Sequence, residues 1–224
     1  MQMIHRIRRA RKDTSVPAGS VPTIFIRVLR IMSVSELDVL IWIRDNMSNA
    51  FLDLASEAAD ILASGAAVYC LALLLMVPRR TRELGILVFA AEAVCDILFE
   101  VPLKEVTARD RPFMEYPVNL LIPAPTNYSF PSGHTANASV LALSVLIYDR
   151  KWGAAALVWA AFVAFSRLYL FVHWPTDVLA GALVAAVCVW AVRSLMKRFL
   201  FGWGKWPAVM EFDICRMFRR RQST

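Results

Sequence analysis

Two of the three histidines in this 224-residue chain lie in two of three short segments that also hold cations, small residues and carboxylates. The first segment, Lys104-Glu105-Val106-Thr107-Ala108-Arg109-Asp110-Arg111-Pro112, follows an apolar run, and Pro131-Ser132-Gly133-His134 opens another. Ser166-Arg167, His173 and Asp177 bridge two more. Arg111 and Arg167 carry planar forks that suit phosphate oxygens, and Lys104 adds a compact charge. Ser132 is of the type that caps a helix, and Gly133 lets its backbone N–H approach a ligand closely. A helix N-terminus is itself an anion site. Two histidines supply what acid–base or covalent chemistry needs near neutral pH, and Asp177, four residues after His173, can orient its ring. The chemistry indicated is an oxyanion site with a nucleophile.

Each segment alone has an ordinary reading: interfacial anchors, a turn before an N-cap, a satisfied histidine–aspartate pair. Their conjunction on one face of the protein argues for a site, and that depends on the elements between them. Hydrophobic residues make up 58% of the chain and charged residues 19%, against roughly 45–50% and 25% in soluble domains. The mean hydropathy is +0.51. This excludes a disordered chain, an ordinary nucleic-acid-binding domain and a disulfide-stapled module. The net charge of +7 sits at the two ends, as it does where basic tails meet anionic head groups. Cys70, Cys95 and Cys188 fall in apolar runs and Cys215 in the basic tail, so no disulfide framework is implied.

The pattern predicts an all-α, polytopic transmembrane helix bundle. Five stretches, Ala55–Val77, Leu84–Leu103, Thr135–Tyr148, Trp152–Leu170 and Pro175–Met196, are read as crossing roughly 30 Å of hydrocarbon, the third being short for it. The organisation expected is a basic flexible arm over 1–20, an amphipathic interfacial region over 21–48, a transmembrane domain over 49–196 and a basic tail over 197–224. Tight turns at 78–83 and 149–151 make neighbouring helices antiparallel. The one long connection, 104–134, is rich in proline, which excludes a long helix. The topology gathers Lys104, Arg111, His134, Arg167, His173 and Asp177 at the membrane surface where that connection lies. Basic residues divide almost evenly between the two surfaces, so charge alone leaves the orientation open.

The segments KEVTARDRP, PSGH and SRLYLFVHWPTD resemble the three signature motifs of the type-2 phosphatidic acid phosphatase and vanadium haloperoxidase superfamily, over about residues 50–196. The resemblance implies metal-independent phosphoryl transfer with no cofactor. His173 would attack phosphorus and form a phosphohistidine, Asp177 would hold its ring, and His134 would protonate the leaving oxygen and then activate water. Lys104, Arg111, Ser132, Gly133 and Arg167 would bind the phosphate oxygens. The membrane composition favours the lipid phosphatase branch: an enzyme of a cell membrane, its site on the outer face, acting on phosphatidic acid, phosphatidylglycerol phosphate or a polyprenyl diphosphate. A lipid-to-lipid phosphotransferase shares the first half-reaction, and a transporter using intramembrane acids is the reading from another class. The partners expected are the lipid phosphate and the membrane, with no nucleic acid, and the oligomeric state stays open.

Members of that branch typically have six spans, against the five found here with an interfacial N-terminal region. The loop residues Phe113, Met114, Tyr116, Leu120, Leu121 and Ile122 fit a lipid surface, a substrate entrance or packing on the helix tops. Glu92, Asp96, Glu100 and Lys104 recur every four residues, and Glu57 and Asp60 lie three apart. Such groups should face the bundle interior, where Glu100 can position Lys104 and the acids can hold the cationic cluster.

Overall fold

The computed structural model describes residues 36–200, and every regular element in that range is helical. Helix α1 covers residues 36–47. It is followed by α2 (Ala50–Leu62), α3 (Gly65–Met76) and α4 (Arg82–Cys95); a π turn, Asp96–Glu100, joins α4 to α5 (Val101–Thr107). Then come the single turn α6 (Pro112–Glu115), α7 (Gly133–Tyr148), α8 (Arg150–Tyr169) and α9 (Pro175–Leu195), which runs into a second π segment, Met196–Leu200. The expected arm over 1–20, residues 21–35 of the interfacial region and the tail from residue 201 lie outside the described residues.

Helices α8 and α9 are long and apolar enough to cross a membrane, and they occupy two of the expected spans. The expected first span is not one helix. Helices α2 and α3 meet at a 60° bend and pass the same test only as a pair. Ser64 makes the break: its backbone is extended and its hydroxyl accepts the Ala67 N–H at 3.3 Å, starting a new helix inside an apolar stretch. The expected second span is α4 with α5, interrupted by the π turn, and the expected third is α7, whose 16 residues reach about 24 Å. By length and composition these two do not qualify as spans by themselves.

Helix α7 is the centre of the bundle and packs on α8, α9 and α4. Small residues allow the close approach: Ala136 and Val140 of α7 meet Ala91 and Cys95 of α4 and Ala185 and Cys188 of α9. Ala138 and Ala142 meet Ala59 and Ala63 of α2 and Ala160 of α8. At Gly181 the approach leaves no room for a side chain, since a Cβ there would lie 2.5 Å from the Ser132 carbonyl oxygen. This contact sets the start of α9 against the start of α7. Their two site segments are also joined by the Ser132 N–H, which donates to the Asp177 carbonyl at 3.0 Å.

The long connection packs over these helix ends. Phe113, Tyr116, Val118 and Leu120 pack with Leu37 and Ile41 around Leu40 of α1, Phe171 and Trp174. Met114 and Leu121 are exposed, while Ile122 lines the cavity described below. The loop therefore divides between packing, surface and cavity wall.

Candidate active site

Helix α5 ends at Ala108, which takes a left-handed conformation (φ 42°) with its N–H on the Lys104 carbonyl. Past this turn Arg111 runs back toward the bundle. Its Nε and one Nη hydrogen-bond the Asn127 carbonyl and Oδ1 at 2.8 and 2.6 Å, and the other Nη donates to the Val172 carbonyl at 2.8 Å. That same Nη lies 3.2 Å from His173 Nε2. Lys104 Nζ donates to the Pro131 and Tyr128 carbonyls at 3.0 and 3.2 Å and lies 3.5 Å from Glu100 Oε1. Both cations are thus held by backbone oxygens of the loop that carries Pro131 to His134.

His173 sits between α8 and α9, 3% exposed. Burial pulls its pKa down to about 3, reinforced by Arg111 and Lys104 and opposed by Asp177, so the ring is neutral at physiological pH. An arginine N–H can only donate, so Nε2 carries the lone pair and Nδ1 the proton. Nδ1 faces Asp177 Oδ2 at 3.6 Å and Ser129 Oγ at 3.5 Å, and the Ser129 hydroxyl donates to the same carboxylate oxygen at 2.5 Å. Asp177 Oδ2 also accepts the Trp174 N–H at 3.0 Å. Burial lowers the Arg111 pKa to about 10 against the pull of Asp177, which leaves it protonated at neutral pH.

His134 is in the first turn of α7. Its Nε2 lies 3.0 Å from the Asp60 carbonyl and 3.4 Å from Asp60 Oδ1. Arg167, 1% exposed, donates to Asp60 Oδ1 at 2.5 Å and to Ser166 Oγ at 3.0 and 3.1 Å. A Cβ at Gly133 would lie 2.7 Å from Glu100 Oε2, so a side chain there would have to displace that carboxylate. Ser132 stands at the N-cap position, but its hydroxyl pairs with the Thr135 hydroxyl at 3.0 Å and not with a backbone N–H. The expected capping bond is therefore absent, the hydroxyl being engaged with Thr135 instead.

A cavity of about 600 Å³ brings Lys104, Arg111, Gly133, His134, Arg167 and His173 to one space. Ser132 and Asp177, both 0% exposed, stand behind that wall. The stripe of acids divides. Asp96 accepts the Tyr69 hydroxyl at 2.8 Å and lines the cavity with Glu100, whereas Glu92 is 0% exposed in the core and makes no hydrogen bond.

The sequence reading missed Ser129, Asn127 and Arg109. Arg109 pairs with Asp177 Oδ1 at 2.5 Å and donates to Thr176 Oγ1 at 2.6 Å. Nothing in the residue pattern separates Ser129 or Asn127 from other polar loop residues. The one available signal was proximity, Ser129 lying two residues before Pro131 and Arg109 two before Arg111.

Among known proteins, the chain is 41% identical over 115 residues to an undecaprenyl-diphosphatase of Sulfolobus acidocaldarius. The match covers 50% of this chain and 55% of that protein, so the chain spans about half the length of this curated relative. The structure resembles Aquifex aeolicus LpxE with a TM-score of 0.62 at 27% identity, over 70% of this chain and 94% of the other. It also shares its fold with a PAP2-type phosphatidylglycerolphosphate phosphatase from Bacillus subtilis, with a TM-score of 0.63 at 24% identity, over 75% and 88% of the two chains. The family model of the PAP2 superfamily matches residues 80–200, which include all eight residues picked out by the three segments, and the chain belongs to that superfamily.

Proposed function

We propose that the protein is an integral membrane lipid phosphatase of five or six crossings that removes phosphate through a phosphohistidine. The observation that carries this reading is the single cavity in which a neutral, buried His173 faces Arg111, Lys104 and Arg167 with His134 on its wall. Phosphoryl transfer demands positioning and charge stabilisation more than elaborate chemistry. The cavity offers three cations, two histidines and the N-terminus of α7 for it.

When substrate enters, the Arg111 Nη that rests on His173 Nε2 transfers to a phosphate oxygen and frees the lone pair. Nε2 attacks phosphorus, the bond to the leaving lipid oxygen breaks, and His134, which enters this step cationic beside Asp60 with a proton on each ring nitrogen, gives that oxygen its Nδ1 proton. Asp177 stabilises the positive charge that His173 acquires. Water, deprotonated by His134, then attacks phosphorus; the N–P bond breaks and His173 returns to its neutral state. Lys104, Arg111, Arg167 and the Gly133 N–H hold the phosphoryl oxygens throughout.

A polyprenyl diphosphate is the first substrate to try, supported by the likeness to the Sulfolobus protein; the phosphate of a glycerolipid is the next. The site lies at the membrane surface, and we assign it to the outer face of a cell membrane. The test is phosphate release by purified protein in detergent from an isoprenyl diphosphate, phosphatidic acid and phosphatidylglycerol phosphate, beside His173→Ala. Release that vanishes in the variant is expected. Release that survives it overturns the mechanism, and an acceptor-dependent transfer without release would identify a phosphotransferase.

A further inference from the structure

Behind His173, two carboxylates share one guanidinium, and the second of them comes from the far end of the sequence. Glu36, at the start of α1 and 6% exposed, places Oε2 2.5 Å from one Nη of Arg109 and accepts the Thr176 N–H on Oε1 at 2.7 Å. The other Nη of Arg109 meets Asp177 Oδ1 at 2.5 Å. Arg109 is 7% exposed and lies over the Trp174 ring, 5.3 Å from its centroid. Leu40 and Ile43, one and two turns further along α1, are buried with Glu36 and fix this face of the helix on the site.

We propose that Glu36 is a positioning residue for the phosphoryl transfer, acting through Arg109 on Asp177. The inference rests on the phosphatase reading above. Arg109 alone would neutralise Asp177. With Glu36 added, two negative charges share one positive charge, and the buried cluster keeps a net charge of −1. That charge faces His173, which becomes cationic when Nε2 bonds to phosphorus, in a site already crowded by Arg111, Lys104 and Arg167. A buried counter-charge acts strongly there, because few solvent dipoles screen it. Glu36 therefore favours the charged state of His173 reached during attack and does little for ground-state binding, the condition for raising kcat and not affinity.

The test uses the full chain in detergent and an isoprenyl diphosphate, or whichever lipid phosphate the wild type turns over. Glu36→Gln is close in size and can still accept the Thr176 N–H, but it lacks the charge. It is expected to lower kcat about tenfold with KM within about twofold, as loss of a transition-state interaction does. Arg109→Met leaves two buried carboxylates repelling each other without a cation; one must take up a proton or move away, so Asp177 is no longer held charged behind His173, and the variant is expected to be worse. The double variant, Glu36→Gln with Arg109→Met, restores a net −1 on Asp177 alone. Its kcat should exceed that of either single variant by at least about threefold. A role limited to tying α1 to the site predicts the reverse order, since the double variant has lost the tie completely.

The proposal is overturned if folded Glu36→Gln keeps its kcat, if the loss appears in KM, or if the double variant is no better than Arg109→Met. Should Glu36→Gln fail to fold, the comparison of the double variant with Arg109→Met decides. A wild type that releases phosphate from none of the lipids overturns the phosphatase reading and this inference with it.

Discussion

Burying His173 in its neutral form makes the stability of the protein depend on pH in a way that one substitution should abolish. In the folded chain its pKa is about 3, while in an unfolded chain it is about 6.5. Between these values the unfolded state binds a proton that the folded state does not, so stability rises with pH across the window and falls as the solution is acidified. From pH 7.5 to pH 5 the loss assigned to this one ring is about 2 kcal/mol, and any folded value below about 4 gives nearly the same result. His173→Asn keeps an N–H donor near the position of Nδ1 for Asp177 and has nothing to titrate. The assay is thermal unfolding of both proteins in one detergent at pH 7.5, 6.5, 5.8 and 5.0. Groups common to the two cancel in the difference. The wild type should lose about 4–8 °C more than the variant over this range, at about 2–4 °C per kcal/mol for a chain of this size. Parallel curves would show that His173 titrates normally in the fold. The neutral lone pair assigned to Nε2 would then lose its basis.

Ser129→Ala removes the hydroxyl that donates to Asp177 Oδ2. Loss of one charge-assisted hydrogen bond at 1.5–3 kcal/mol should lower kcat about 10- to 100-fold with KM little changed, measured by steady-state phosphate release; an unchanged kcat would remove Ser129 from the site. Since the two reaction steps are assigned to histidines and arginines, turnover should persist in EDTA and be inhibited by vanadate, whose five-coordinate form resembles the transition state. A strict requirement for added divalent metal, or indifference to millimolar vanadate, would count against the assignment.

The candidate site was legible in the sequence, as a set of residues that line one cavity, where residue type and chemistry coincide. Histidine is rare in this chain and arginine is costly within apolar runs, so His134, His173 and Arg167 announced themselves. What stayed hidden was whatever the loop and the N-terminal helix bring. Ser129 is one of several polar residues in a proline-rich stretch, and Glu36 lies 141 positions before the aspartate it reaches through Arg109. No local pattern encodes a contact across that separation. The bundle was legible as all-helical from hydropathy, but its interruptions were not. Ser64 capping a helix within an apolar run, and the π turn Asp96–Glu100, leave hydropathy almost unchanged. Acids spaced every four residues also drift about 40° around a helix at each step, so they do not share one environment: Glu92 stays in the core, while Asp96 and Glu100 open onto the cavity.

The bend between α2 and α3 has a genetic consequence. A helix end leaves its last carbonyls without helical partners, and here α7 supplies them: His134 Nε2 takes the Asp60 carbonyl and Asn137 Nδ2 the Ala63 carbonyl at 3.2 Å. A carbonyl only accepts, so it fixes the proton of neutral His134 on Nε2 and leaves the Nδ1 lone pair for the proton transfers proposed above. In many sites the tautomer of a histidine is set by a neighbouring side chain that one codon change can remove. In this chain it is written by the backbone. Replacing Asp60 alters the charge beside His134 and Arg167 but not the atom that holds the tautomer. Substitution of Asp60 is therefore expected to weaken the pairing with Arg167 before it changes which nitrogen of His134 carries the proton.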